Sequence, residues 1–296
     1  MTNTERPIHF HIVTSSPART NAFASLLGAD RVHQVLPHFT EDIIRKPVNM
    51  NVAEWPLEMA ERKAMQDISA LMVRSYINGT VETGHAGDVH TEGDRIIRIY
   101  SDTINITYDK DIFDDTAVVN EKPKNIAQWM SDRVNGAMGL SGKNTELCTA
   151  LTAIDMTDPT VHPTTVLVRT AVKMKPFTIQ DVQEFVRRHG PDSVLRSASG
   201  ISFVNDTVEL FDTESPLRTY IQTNPDEPPT LVHEYKTWGH LTHEERLRIL
   251  YGAVPQAIEQ LITNFQPAYP SHQGRSTAER YGLSRQQDTP PPATPT

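Results

Sequence analysis

The first residues with evident chemical potential form a hydroxyl-rich turn near the start of the chain. Residues 15–19 read Ser-Ser-Pro-Ala-Arg and follow residues 8–13, whose alternating apolar side chains are typical of a β-strand. Ser16 and Pro17 suit the N-cap and first turn of a helix, which is predicted over residues 19–27. Backbone N–H groups at a helix start attract anions, and two hydroxyls and an arginine add phosphate donors. Taken alone, the turn favours an ordinary serine cap.

Three charged residues further along the chain are also candidates for chemistry. Asp102 lies within a predicted strand, residues 95–107, where a carboxylate costs desolvation energy unless it is paired or bound to a metal. The alternative is a solvated position on that strand. Lys63 belongs to a long predicted helix, residues 54–76, for which a solvated surface lysine is the simpler interpretation. Lys122 precedes a proline, which favours an extended backbone that can point the lysine at a ligand.

Composition limits the class of protein. With 296 residues, 38% hydrophobic and 22% charged, the chain has the profile of a soluble globular protein. A formal net charge of -9 argues against general nucleic-acid binding. Cys148 is the one cysteine, so no intrachain disulfide can form, and without a signal peptide this predicts a cytoplasmic protein. No apolar run approaches the roughly 18 residues that a membrane span needs.

The periodicity predicts alternating strands and helices in a single domain, residues 1–265. Two polar insertions, near residues 79–93 and 108–119, interrupt it, and the proline-rich residues 266–296 are predicted to be disordered. The predicted strands are 8–13, 32–36, 95–107, 145–154 and 164–175, with one more short strand before 210; the predicted helices are 19–27, 54–76, 125–134, 178–190, 242–250 and 255–265. Residues 136–142 are predicted as a glycine-rich turn, and residues 222–229 as a linker-like loop.

The order of these groups resembles the Maf family of nucleoside triphosphate pyrophosphatases. The turn at residues 15–19 and the Leu-Leu pair that follows are similar to the family's opening motif. Further similarities, in chain order, are Glu41, Lys63-Ala64, Asp102-Thr103, Lys122-Pro123, residues 140–144, Thr149-Ala150 and residues 252–255. The chain departs from the family pattern at Ala18, where an arginine is usual, at Ala150, where a glycine is usual, and at a late glutamine that has no clear match.

The resemblance implies an α/β fold with a central twisted mixed β-sheet, flanked by helices around a ligand cleft, like that of inosine triphosphatases. It implies hydrolysis of nucleoside triphosphates between the α and β phosphates, with Mg²⁺ or Mn²⁺, and a role in removing non-standard nucleotides. A homodimer is also implied, with no nucleic-acid or membrane partner. The base preferred by the enzyme does not follow from the resemblance.

The resemblance also assigns the site residues. Those expected to bind the substrate phosphates are Ser15, Ser16, Arg19, Lys63, Lys122 and Lys143. Glu41 and Asp102 are the expected ligands of the metal, and Asp102, Glu41 and Lys63 are the expected catalytic residues. Asp102 is expected to activate or orient the attacking water.

Other interpretations remain open at this point. The alternatives are a nucleotide-binding or regulatory protein without catalysis, and a phosphatase of nucleoside monophosphates. His9 and His11 alternate along the first strand and face one side of the sheet, where packed or surface histidines are the simpler explanation. His233, His240 and His243 form a loose group, but Thr242 and Glu245 explain that segment better as a capping box.

Overall fold

A computed structural model gives the structure of the chain. It describes residues 7–37, 55–78, 94–108, 118–120, 123–133, 136–157, 163–195, 200, 206–223, 227–242, 245–246 and 253–263. Glu41, Lys122, His243, the insertion at residues 79–93 and the tail after residue 265 lie outside the described residues, as does most of the insertion at residues 108–119. None of the described helices is both long and apolar enough to cross a bilayer.

Eight strands form one mixed β-sheet. They are β1 (Ile8–Val13), β2 (Val32–Val35), β3 (Arg95–Tyr108), β4 (Val118–Asn120), β5 (Asn144–Asp155), β6 (Thr164–Lys173), β7 (Leu217–Gln222) and β8 (Thr230–Tyr235). The order across the sheet is β2-β1-β3-β5-β6-β7-β8, and β4 pairs with β3. β1 is parallel to β2 and β3, whereas every other pairing is antiparallel. The predicted mixed sheet with flanking helices is therefore confirmed.

Seven α-helices accompany the sheet in the part of the chain that the structure describes. They are α1 (Pro17–Leu27), α2 (Trp55–Asn78), α3 (Ile126–Ser131), α4 (Ala137–Leu140), α5 (Ile179–His189), α6 (Asp192–Leu195) and α7 (Ala253–Thr263). α2 packs on one face of the sheet, where Ala60 and Ala64 contact the apolar side chains of β3 and β5. α1 and α7 cover the other face, around Ile97 and Ile99. Both faces of the central strands are consequently buried.

The start of α1 follows the predicted capping chemistry. The Ser16 side chain accepts a hydrogen bond from the Arg19 backbone N–H at 3.4 Å, and Pro17 occupies the first turn. Gly28 ends the helix at φ 101°, and its N–H donates to the Ala24 carbonyl at 3.0 Å. A positive φ is strained for residues with a Cβ, which explains the glycine. The helix start therefore lies directly after β1, with its N–H groups at the strand's carboxyl end.

Four predictions about local structure are corrected. Residues 206–210 form a 3₁₀ helix rather than the short strand predicted there, and residues 137–140 form a short helix inside the predicted turn. β7 and β8 were not predicted, and β7 extends into the predicted linker at Gln222. β8 is an edge strand with several exposed side chains, so its apolar signal is weak.

Gly136 offers a test of the packing beneath α4. A Cβ built on this residue would lie 2.1 Å from the Trp129 carbonyl oxygen and 2.5 Å from that of Asp132. Because both atoms belong to backbone, they cannot swing aside, and Gly136→Ala is expected to lower the free energy of unfolding by about 3 kcal/mol or more. Urea denaturation measures the change. In Gly190→Ala a Cβ would meet nothing within 4 Å, so only its backbone strain, about 1 kcal/mol, should appear. Equal losses in the two variants would contradict the steric explanation.

Candidate functional site

A gap lies along one side of β3, between the end of β1 and the start of β4. The pairing of β1 with β3 stops at Val13 and Tyr100, and β4 joins the same side of β3 only from Asn105 onward. Among the described residues, no strand pairs with residues 101–104 on that side. Open α/β sheets bind ligands outside the carboxyl ends of their parallel strands, and this gap is such a position. We call it the β3 gap.

The turn after β1 forms one wall of the β3 gap. Ser15 is exposed, and the Ser16 N–H donates to the Thr14 hydroxyl at 3.1 Å. Arg19, one turn inside α1, donates from Nη1 to the Ser101 carbonyl oxygen at 3.4 Å. The guanidinium is thereby held against the edge of β3, beside the N-terminus of a helix. Both features attract anions.

Lys63 and Asp102 form an ion pair beside this wall. The Lys63 Nζ atom lies 2.6 Å from Asp102 Oδ1, and only 7% and 17% of the two side chains are exposed. The interpretation of Lys63 as a solvated surface lysine is therefore wrong. A buried ammonium needs an opposite charge nearby, because its desolvation is otherwise uncompensated. Asp102 is likewise paired, as expected for a carboxylate within a strand, and Oδ1 is the oxygen that contacts the lysine.

β5 lines the other side of the same stretch of β3. Ala150 lies directly opposite Asp102 and Thr149 opposite Thr103, with the two threonine hydroxyl oxygens 3.1 Å apart. The Thr149-Ala150 pair that resembles a family motif is thus adjacent to the strand that carries Asp102. Ala150 is fully buried. Its methyl group occupies space that a glycine would leave empty.

Lys143 is not brought to the β3 gap. It immediately precedes β5, seven residues before the Ala150 that pairs with Asp102. At about 3.4 Å per residue, this corresponds to a separation of about 24 Å along the strand. The predicted phosphate contact by Lys143 therefore has no support from its position.

Two of the expected site residues, Glu41 and Lys122, lie outside the described residues. Asp102 is the remaining predicted metal ligand. In the described ranges, no group of three or more His, Cys, Asp or Glu side chains is arranged to hold a metal ion. Mg²⁺ usually keeps several waters and takes one or two carboxylates together with substrate phosphates, so it does not require such a group.

A second buried ion pair, which sequence reasoning missed, lies one helical turn from Lys63. Arg98 donates from Nη1 to Asp67 Oδ2 at 2.7 Å, and the Tyr100 hydroxyl donates to the same oxygen at 2.9 Å. Burial, followed by the negative charge of Asp67, raises the pKa of Tyr100 above its ordinary value. The sequence signal for this ion pair is Arg98, a charged residue that lies between Ile97 and Ile99 on the strand. The sequence does not show that α2 covers this face of β3.

A third buried cluster joins β3, β5 and β6. Arg169 donates hydrogen bonds to both carboxylate oxygens of Glu146, from Nε to Oε1 and from Nη2 to Oε2 at 2.9 Å. The Tyr108 hydroxyl donates to the same Oε2 atom at 2.5 Å. Burial lowers the pKa of Arg169, but the hydrogen bond and charge of Glu146 outweigh it and raise that pKa overall. Burial and then Glu146 raise the pKa of Tyr108. We call these three residues the Glu146 cluster.

Cys148 lies next to the Glu146 cluster and is fully buried. Burial, followed by the charge of Glu146, raises the pKa of its thiol well above the ordinary value. A neutral thiol without solvent access is a poor nucleophile. Cys148 is therefore a buried structural side chain.

No model of a protein family matches the sequence, and no curated protein matches it significantly.

Proposed function

We propose that the chain hydrolyses nucleoside triphosphates to a monophosphate and pyrophosphate, with Mg²⁺ or Mn²⁺. The observation that carries the proposal is the convergence of the turn at residues 15–19, Lys63 and Asp102 at the β3 gap. Arg19 reaches Ser101 across 82 residues of sequence, and Lys63 reaches Asp102 across 39. Arg19 and Lys63, which the family resemblance assigns to phosphate binding, therefore contact adjacent residues of β3.

The charges at the β3 gap suit a polyphosphate. Arg19 and Lys63 supply two cations, and the start of α1 adds N–H groups that favour negative charge. Such a local arrangement can bind an anion even though the whole chain carries a net charge of -9, because a triphosphate contacts only its immediate surroundings. Lys63 is held in place by Asp102, so its ammonium is positioned before the ligand arrives.

Asp102 also suits a hard divalent cation. Lys63 contacts Oδ1, and a carboxylate has two oxygens with about four acceptor positions in total. We therefore infer that Asp102, together with Glu41, would hold Mg²⁺ or Mn²⁺. When bound, the ion would polarise the α-phosphate and lower the pKa of its water. Asp102 would orient the attacking water, while Ser16 and Arg19 hold the phosphate oxygens.

A second candidate is nucleotide binding without catalysis. The observation in its favour is the Lys63–Asp102 contact of 2.6 Å, which neutralises the proposed catalytic carboxylate. The buried methyl group of Ala150 opposite Asp102, and Ala18 in place of an arginine, point the same way. On this interpretation the β3 gap binds a triphosphate and releases it unchanged.

The test is pyrophosphate release by the purified full chain. A panel of standard, deoxy and non-standard nucleoside triphosphates is incubated with Mg²⁺ or Mn²⁺, and phosphate is measured with and without added inorganic pyrophosphatase. Phosphate that appears only with the added enzyme supports the proposal. Nucleotide binding by calorimetry without turnover selects the second candidate, and phosphate released directly from monophosphates selects a phosphatase. Neither binding nor turnover across the panel would overturn all three.

The oligomeric state and the cellular location stay predictions. A homodimer is expected from the resemblance alone, and sedimentation analysis of the full chain would decide it. Removal of non-standard nucleotides likewise rests on the resemblance, and the order of rates in the nucleotide panel would test it.

A further inference from the structure

Three histidines lie on one face of the sheet, away from the β3 gap. His11 pairs across the strands with His33, and His9 lies two residues before His11 on the same face of β1. This is the face that α2 covers, since Val13 on the same alternation packs against Ala64. His9 precedes the end of β1 by four residues, about 13 Å along the strand. His9 is therefore near the opposite end of β1 from the turn at residues 15–19, and His11 and His33 lie between them.

Two of their nitrogens are as close as two ligands of one metal ion. His9 Nδ1 lies 3.3 Å from His33 Nε2. A tetrahedral zinc ion with Zn–N bonds of 2.0–2.1 Å holds neighbouring nitrogens about 3.4 Å apart. The rings of the two residues are tilted by 37° with their centroids 5.5 Å apart, so they approach through their edges rather than by stacking. Nitrogen is the donor that Zn²⁺ and Cu²⁺ prefer from histidine.

The surroundings of this pair are those of a metal-binding histidine. Asp94 Oδ2 lies 3.5 Å from His9 Nε2, on the side of the ring away from His33. A carboxylate at that position favours the proton on Nε2, which makes Nδ1 the acceptor in the hydrogen bond with His33 and is the usual arrangement behind a metal ligand. His11 is fully buried, and its ring meets His33 edge-on at a centroid distance of 5.7 Å. His11 thereby fixes the orientation of the second ligand.

The local charge also favours a cation. Arg98 is the cross-strand neighbour of His11, and its charge is offset by Asp67 at 2.7 Å. Asp94 contributes a further negative charge beside His9, and its side chain is only 11% exposed. On the face that carries the three rings these side chains sum to one negative charge, whereas Arg31, which donates to the Ile8 carbonyl, lies over Phe10 on the other face. A dication is stabilised there, and its charge is only weakly screened by solvent.

We propose that His9 and His33 bind a Zn²⁺ ion, with Asp94 orienting His9 and His11 orienting His33. Two imidazole nitrogens would bind the ion, and water would complete its coordination shell. This site is separate from the nucleotide site: it uses imidazole nitrogens and a transition metal, where the β3 gap uses carboxylates and Mg²⁺. It does not depend on the proposed hydrolysis.

The test is Zn²⁺ binding to the full chain without nucleotide, measured by competition with a chromophoric chelator. Wild-type protein is expected to bind one Zn²⁺ ion. His9→Asn and His33→Asn should each weaken binding by at least about a hundredfold, and Asp94→Asn by about tenfold. His189→Asn is the matched control, because His189 Nε2 lies 3.0 Å from Glu209 and resembles the His9–Asp94 pair without a second histidine. It should bind as wild type does.

Two further measurements keep the result unambiguous. Asp102→Asn protein that circular dichroism shows to be folded should bind Zn²⁺ like wild type, whereas loss of binding by the folded variant would place the ion at the β3 gap and overturn the assignment. Electron paramagnetic resonance of the wild-type protein with one equivalent of Cu²⁺ should show two coordinating imidazole nitrogens, even if a histidine variant does not fold. No binding by the wild type, or fewer than two imidazole nitrogens, would overturn the proposal.

Discussion

The Asp102→Asn variant is expected to release pyrophosphate about 10²–10⁴ times more slowly than the wild type on the best substrate of the nucleotide panel. This is the range for removal of a group that positions or deprotonates the attacking water. Asparagine keeps the size of the side chain but cannot accept a proton or supply a charged oxygen to Mg²⁺. Single-turnover kinetics with saturating nucleotide measures the effect on the chemical step.

Stability must be measured beside the rate, because Lys63 would lose its counter-charge. The matched control is Asp155→Asn, which removes a buried carboxylate paired with Arg95 at 2.7 Å on the same sheet. Asp155→Asn is expected to lose stability and retain the rate of the folded fraction. Asp102→Asn is expected to lose both. An Asp102→Asn protein that is folded and as fast as wild type would remove Asp102 from the mechanism.

Glu146→Leu is expected to lower the free energy of unfolding by about 3–5 kcal/mol. The substitution leaves the Arg169 guanidinium buried without its carboxylate, and an unpaired buried charge is costly. The Tyr108 hydroxyl also loses its acceptor. Urea denaturation followed by tryptophan fluorescence measures the loss. The exposed pair Glu184–Arg187 provides the comparison, and Glu184→Gln should change stability little because solvent screens both partners.

A double variant separates the unpaired charge from the lost volume. Glu146→Leu combined with Arg169→Met removes both charges and keeps the interior filled, so it is expected to recover at least half of the loss. Adding Tyr108→Phe removes the hydroxyl that has lost Glu146 as its acceptor and should recover more. If the double variant were as unstable as Glu146→Leu alone, the unpaired guanidinium would not be the cause.

The strands that sequence reasoning found are those whose periodicity is set by burial on the sheet. The central strands β1, β3, β5 and β6 are marked by their Val, Ile, Leu and Thr residues, and the edge strand β2 was found through its buried valines, Val32 and Val35. β7 and β8 lie at one end of the sheet and follow a proline-containing segment, and their pairing depends on distant residues. The order of strands required tertiary information, because nothing local determines that β3 lies between β1 and β5.

The residues of the candidate site likewise fall into those that a local sequence pattern reveals and those whose role depends on tertiary packing. Ser16 and Arg19 were found because a helix cap is a local feature, and Asp102 because a carboxylate in a strand is unusual. Lys63 was named through the resemblance, but its burial could not be seen, since α2 must first pack on β3. The pairing of Glu146 with Arg169 depends on the register of β5 and β6, which no local pattern gives. Lys143 was predicted to bind phosphate because its segment loosely resembles a family motif. The register of β5 on β3 places it far from Asp102 and the β3 gap.

α2 is fixed to β3 by two ion pairs of opposite polarity. Lys63 of the helix is positive and meets Asp102, whereas Asp67, one turn later, is negative and meets Arg98. If the helix slid by one turn, either Lys63 would approach the like charge of Arg98 or Asp67 would approach that of Asp102. The other ion pair would then be broken. The helix therefore has one favoured alignment on the sheet, and the ammonium at the β3 gap is located by charge order as well as by packing.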